Sequence, residues 1–198
     1  MRGKNNKTKE GNEMVVKSHY LINEKTILFY GKFYENGELF TFVIDGDDCF
    51  LVAMSPVKLI NKSLISYGGN FEGALESSRA LLGENRKMYP IKITASMDIW
   101  IFPTKSYKNV HCVCFVLNHV KNTKSLGTKQ TKVFLSNGHE FDIKMRESSF
   151  RNKRSVTSDL RDIITSQKSV NYIAIPQERF IIIEEKGQYD CKARKIDK

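Results

Sequence analysis

Residues 26–53, TILFYGKFYENGELFTFVIDGDDCFLVA, decide the fold class. Two runs rich in aromatic and β-branched residues, Thr26–Phe33 and 39–44, flank Glu35, Asn36 and Gly37. An Asn-Gly pair accepts the positive φ angles of a tight reversal, so the two runs are expected to pair antiparallel. A second turn at residues 45–48 (DGDD) leads into a third strand over 49–53, which makes a meander.

Beyond this stretch the hydrophobic period changes. Ser55 and Pro56 open a helix as N-cap and first helical residue. Val57, Ile60, Leu64 and Tyr67 then recur at helical spacing until Gly68 and Gly69 stop the run. Asn70 caps a second helix that carries Phe71, Ala74, Leu75, Ala80 and Leu82 and ends at Gly83. After Pro90 the strand pattern returns over Ile91–Thr94, 98–102, 110–120, 132–135 and 140–144, with Asn137-Gly138 as the turn between the last two. Ser148 or Ser149 starts a basic helix to about Ser166, whose Phe150, Val156, Leu160 and Ile163/Ile164 form an apolar stripe. Residues 171–175 and 180–183 read as a late strand pair before a lysine-rich, frayed end. The expected architecture is a single α+β domain of mostly antiparallel strands with about three helices. Residues 1–18 form a disordered basic arm, 19–166 the folded domain, and 167–198 an extension with the late strand pair and a tail.

Composition sets the class. Apolar residues make up 40% of the 198, with twelve Phe and eight Tyr, enough for one sizeable core. The first thirteen residues, MRGKNNKTKEGNE, contain no apolar core of the signal-peptide kind. Residues 110–120, the most apolar later stretch, are broken by His111, Asn118 and His119 and are too short to cross a bilayer. A soluble, unexported, cytoplasmic protein is expected, with Cys49, Cys112, Cys114 and Cys191 as reduced thiols.

The net charge of +10 is unevenly placed: residues 1–9 carry +4, 10–98 carry −3, 99–154 carry +8 and 155–198 carry +1. Residues 99–139 hold six lysines and no carboxylate. Such a window favours a polyanionic partner.

Enzyme signatures are absent: there is no phosphate-loop, dinucleotide-binding, nucleophile-elbow or zinc-protease motif. His111, Cys112, Cys114 and His119 have metal-ligand chemistry, but on a strand the thiols face one side and the imidazoles the other. One strand cannot close a tetrahedral site from opposite faces. The aspartates of residues 45–48 lack the length and the distal Glu of a calcium loop. No cofactor, metal, membrane or small-molecule substrate is therefore expected.

The basic constellation remains. Lys105 and Lys108 flank Tyr107, and Lys121, Lys124, Lys129 and Lys132 are interleaved with Asn122, Gln130 and several threonines. These side chains both attract and hydrogen-bond phosphate oxygens. As a flexible loop between strands they suit a DNA minor groove, with Asn122, Gln130 and Asn137 near A·T acceptors. Arg151 and Arg154 share a helix face and add backbone contacts. A competing reading is RNA binding by aromatics on an open sheet face, for which Phe29, Phe33, Phe40 and Phe42 are the candidates.

The order of short motifs resembles the ComK family of competence regulators. Residues 63–68 (SLISYG), followed by Phe71, Gly73 and Gly83, are similar to its S-x-x-x-[FY]-G…[YF]-x-G…G stretch. Residues 101–106 (IFPTKS) resemble its F-F-P-T-x-S segment and residues 133–138 (VFLSNG) its [VI]-x-F-[SA]-N-G turn. The resemblance covers roughly residues 20–165. It implies a cytoplasmic activator of competence genes that binds double-stranded DNA at AT-rich promoter boxes as a dimer or higher assembly. It also implies that Ser63, Tyr67, Gly68, Gly73, Pro103, Asn137 and Gly138 act mostly as fold determinants. Where the family carries two consecutive basic residues after Gly73, this chain has Ala74 and Leu75.

Overall fold

The computed structural model describes residues 14–167, 179–185 and 188–194. Chain order gives β1 (Val16–Lys17), β2 (Thr26–Phe33), β3 (Leu39–Asp45), β4 (Asp48–Val52), α1 (Pro56–Ser66) and α2 (Phe71–Leu82). There follow β5 (Ile91–Thr94), β6 (Ile99–Pro103), β7 (Val113–Val116), β8 (Val120–Gly127), β9 (Gln130–Leu135), β10 (Glu140–Ile143) and α3 (Glu147–Gln167). A second unit, beginning at Ser166, contains the hairpin β11 (Arg179–Glu185) and β12 (Gln188–Arg194).

Seven strands form one sheet in the order β1-β4-β3-β2-β7-β6-β5, antiparallel except where β1 runs parallel to β4. The meander β8-β9-β10 forms a second, three-stranded sheet. The α+β, mostly antiparallel architecture matches the expectation, with three α-helices among the described residues. Three details differ from it. The sheet begins inside the expected arm, because Val16 and Lys17 pair with Leu51 and Val52. The partner of 180–183 is β12, and 171–175 lies outside the described residues. The segment 110–120 divides into β7, a 3-10 turn and the start of β8.

The turns follow from their residues. Asn36 and Gly37 take φ of 64° and 79°, and Asn137 and Gly138 take 58° and 74°. Both Asn-Gly pairs thus adopt the left-handed backbone that their side chains tolerate best. Pro56 sits at the first turn of α1, while the Ser55 hydroxyl makes no capping bond. Asn70 does cap α2, accepting from the Gly73 amide at 2.8 Å. Gly68, at φ 81°, reverses the chain after α1 and places the Gly69 amide on the Leu64 carbonyl at 2.8 Å.

Ser63 and Tyr67, one helical turn apart, clasp the same buried residue. The Ser63 hydroxyl accepts from the Ile22 amide at 3.0 Å, and the Tyr67 hydroxyl donates to the Ile22 carbonyl at 3.3 Å. This pairing satisfies both backbone groups of a fully buried residue and gives the S-x-x-x-Y spacing a structural reason.

The large sheet is buried on both faces, so its central strands read as unbroken apolar runs. Ile99 and Ile101 of β6 join the core beneath α1 and α2, while Trp100 and Phe102 enter a second core beneath the small sheet and α3. That second core is aromatic: the Phe150 ring of α3 meets Phe102 at 5.4 Å and Phe115 at 5.1 Å, both edge-on. Hydrogen bonds tie the small sheet to the large one. His139 Nε2 donates to the Gly46 carbonyl at 2.8 Å, and Asn137 Nδ2 donates to Asp47 Oδ1 at 2.9 Å. His119 spans Ser136 Oγ and the Glu24 carbonyl. Phe29 is sealed in the first core, and Phe42 packs on Tyr30 at 5.0 Å. Phe40 stacks on Tyr34 at 4.8 Å, and Phe33 alone of these four phenylalanines is exposed. They do not form the open stacking platform that the RNA reading requires.

Candidate nucleic-acid interface

The lysine-rich segment 121–132 is a strand pair and not a flexible loop. β8 and β9 run antiparallel and close at Thr128 and Lys129, with Gly127 opposite Gln130. Thr123 and Thr131 turn inward with Val120, Val133 and Ile143, which leaves the other face of the sheet to mostly polar side chains, with Phe134 among them. On that face Lys124 lies opposite Lys132, which lies opposite Asp142; in the next row Asn122, Phe134 and Glu140 align. Lys129 stands exposed at the tip of the hairpin. Lys121, beside a bulge, donates to the Asn118 carbonyl at 3.2 Å.

Partners within the protein change the expected roles of three residues. Lys132 bonds to Glu140 and lies 3.7 Å from Asp142. The Glu140 bond holds its ammonium above the usual lysine range, so its charge is spent inside the sheet. Arg151 pairs with Glu147 at 2.8 Å and donates to the Thr123 hydroxyl at 3.0 Å, bracing the start of α3 against β8. The Thr123 hydroxyl in turn donates to Glu147 and, with Arg151, keeps that carboxyl below its ordinary value. Asn137, expected near a base edge, has its side-chain amide donating to Asp47 in the tie between the sheets.

Two cations of the charged window, Lys121 and Arg154, converge with a third from outside it, Arg161. Arg154, Ser158 and Arg161 occupy one stripe of α3 and face Lys121 and Asn118 across a cleft of about 260 Å³. Its lining contains no carboxylate, although Arg161 touches its neighbour Asp162 at 3.3 Å. Lys105 borders a different hollow with His111, Asp142 and Lys144. Lys108 lines a groove with Arg79, Arg86 and Lys87. Leu75 lines that groove as well, and with Ala74 it packs on the first core. Ala74 and Leu75, at the position where the resemblance implies two basic residues, thus make apolar packing beside cations supplied by α2 and the loop after it.

Among the described residues no cluster of His, Cys, Asp or Glu is arranged to hold a metal ion. Cys112 and Cys114 are buried, and the Cys112 thiol donates to the Lys105 carbonyl at 3.2 Å. The Cys114 thiol brings Cys112 down to about 7, against the effect of burial, but only 3% of Cys112 is exposed to meet a substrate. No helix among the described residues is long and apolar enough to cross a membrane.

Cations on the outer face of a small sheet and along a helix packed beside it define a class: a compact basic α+β domain whose surface suits a polyanion. The chain belongs to the ComK protein family, whose pattern it matches over residues 17–169. It is 28% identical over 126 residues to a protein named competence transcription factor from Bacillus subtilis (strain 168), a match covering 64% of this chain and 65% of that relative. The chain thus spans just under two thirds of the length of that curated relative. No solved structure gives a significant match.

Proposed function

We propose that this protein is a transcription regulator of competence genes that binds double-stranded DNA through the β8–β9 hairpin and α3. One observation carries the reading: Lys121, Arg154 and Arg161 line a single cleft without an acidic residue, and the strand that supplies Lys121 leads on to the exposed Lys124 and, at the hairpin tip, Lys129. Lys121 and Arg154 form no ion pair among the described residues; cations of this kind are what a phosphate backbone requires, and its condensed counterions are released when they bind. The hairpin, two strands wide and polar on its outer face, has Asn122 and Gln130 as donors for base-edge acceptors. In this reading it enters the minor groove of AT-rich promoter boxes, where adenine N3 and thymine O2 present only acceptors. The family resemblance behind the AT-rich preference also carries a dimer or higher assembly acting on one promoter.

The cleft supplies the test. Lys121→Gln/Arg154→Gln is expected to flatten the plot of log affinity against log salt by about two units, because each phosphate contact contributes about 0.9. Fluorescence anisotropy with a labelled duplex at several salt concentrations reads that slope. An unaltered slope would remove the cleft from the interface.

A further inference from the structure

Lys153 leaves α3 on a different side from Arg154 and is half-buried. Its ammonium lies 3.5 Å from the Met88 sulfur, a weak acceptor that carries no charge. Arg86 and Lys87 line the same cleft, of about 190 Å³, with Asn152 beside them and Phe102 and Val156 among its apolar walls. Among the described residues none of these three cations forms an ion pair. Burial holds the Lys153 ammonium below its ordinary value. A half-desolvated ammonium with no anionic partner is unfavourable unless an anion joins it.

The cleft is also built in advance. The Tyr89 hydroxyl donates to the Gly83 carbonyl at 2.8 Å and accepts from the Arg86 amide at 3.2 Å. The Tyr107 hydroxyl secures the same loop by donating to the Tyr89 carbonyl at 3.0 Å. Arg86 and Lys87 therefore project from a loop tied down at several points, which lowers the entropy lost on binding.

We propose that Arg86, Lys87 and Lys153, with the Asn152 amide, form a second phosphate-binding site on the flank of α3 away from the Lys121–Arg154–Arg161 cleft. The phosphate comes from the backbone of the same duplex, so this inference rests on the function proposed above. With both clefts filled, α3 holds two separate runs of phosphates, one on each flank.

The test uses the full chain with the double substitution Arg86→Gln/Lys153→Met. Methionine keeps the length of the Lys153 side chain and its contact with Met88, and the variant is expected to unfold no earlier than wild type. Two readouts are taken: the salt dependence of duplex affinity, and the melting temperature with and without inorganic pyrophosphate. The expected result is a slope lower than wild type by about two units. A full slope in the variant, together with a pyrophosphate-induced rise in melting temperature seen only in wild type, assigns the site to a free phosphate compound and not to DNA. A full slope with no pyrophosphate effect on wild type overturns the site while leaving the DNA reading intact. If wild type itself shows no salt-steep duplex binding, the DNA reading fails and the pyrophosphate arm alone decides the site.

Discussion

Reversing two exposed charges, as Lys124→Glu/Lys129→Glu, lowers affinity for an AT-rich duplex by about 100-fold at physiological salt. Both side chains are solvent-exposed, and among the described residues neither forms an ion pair, so neither change uncovers a buried partner. Each reversal removes a counterion-releasing contact and sets a carboxylate against the phosphates. The equivalent change at Lys132 gives a different result. Its ammonium already serves Glu140 and Asp142, so Lys132→Glu would gather three carboxylates on adjacent strands and disturb the sheet as well as binding. An anisotropy titration paired with a thermal melt separates these cases. A Lys124/Lys129 variant that melts normally and binds as wild type does would place the hairpin outside the interface.

Phe150→Ala carries the largest expected cost in stability, about 3–5 kcal/mol. Phe150 is fully buried and makes edge-on contacts with Phe102 and Phe115, which are stacked on each other at 5.7 Å. Removing the ring leaves a void where α3 meets both sheets, lined by the packed Phe102 and Phe115 rings, which can collapse into it only in part. For a domain of this size the melting temperature should fall by about 10 °C or more. Phe150→Leu retains much of the buried volume and should cost well under half as much. Urea unfolding with linear extrapolation measures both variants. A loss below about 1 kcal/mol for Phe150→Ala would mean that α3 is not anchored by this ring.

Local rules made most of the fold legible. Asn36-Gly37, Pro56, Asn70 and Gly83 mark chain reversals and helix ends that depend only on nearby residues, and each lies where the structure places such a boundary. The doubly buried β6, IWIFP, is recognisable because both of its faces are apolar. β8 was not legible for the opposite reason. Its residues 121–127 turn only Thr123 inward, and bulges at both ends break the alternation that would mark a strand.

The candidate site was legible only in part. A window of net charge finds Lys121, Lys124 and Arg154, but it counts Lys132 and Arg151 as free, because Glu140 and Asp142 meet Lys132 through strand pairing and Glu147 meets Arg151 one turn apart on α3. It also passes over Arg79, Arg86 and Lys87, whose charges are cancelled along the chain by Glu72, Glu76 and Glu84. The fold brings those three cations onto one groove with Lys108.

The most direct measurement is an anisotropy titration of the full chain against an AT-rich duplex, a GC-rich duplex and a matched single strand, each at two salt concentrations. The expected result is tightest binding to the AT-rich duplex, with affinity that falls steeply as salt rises. Equal affinity for all three probes, or preference for the single strand, would contradict it.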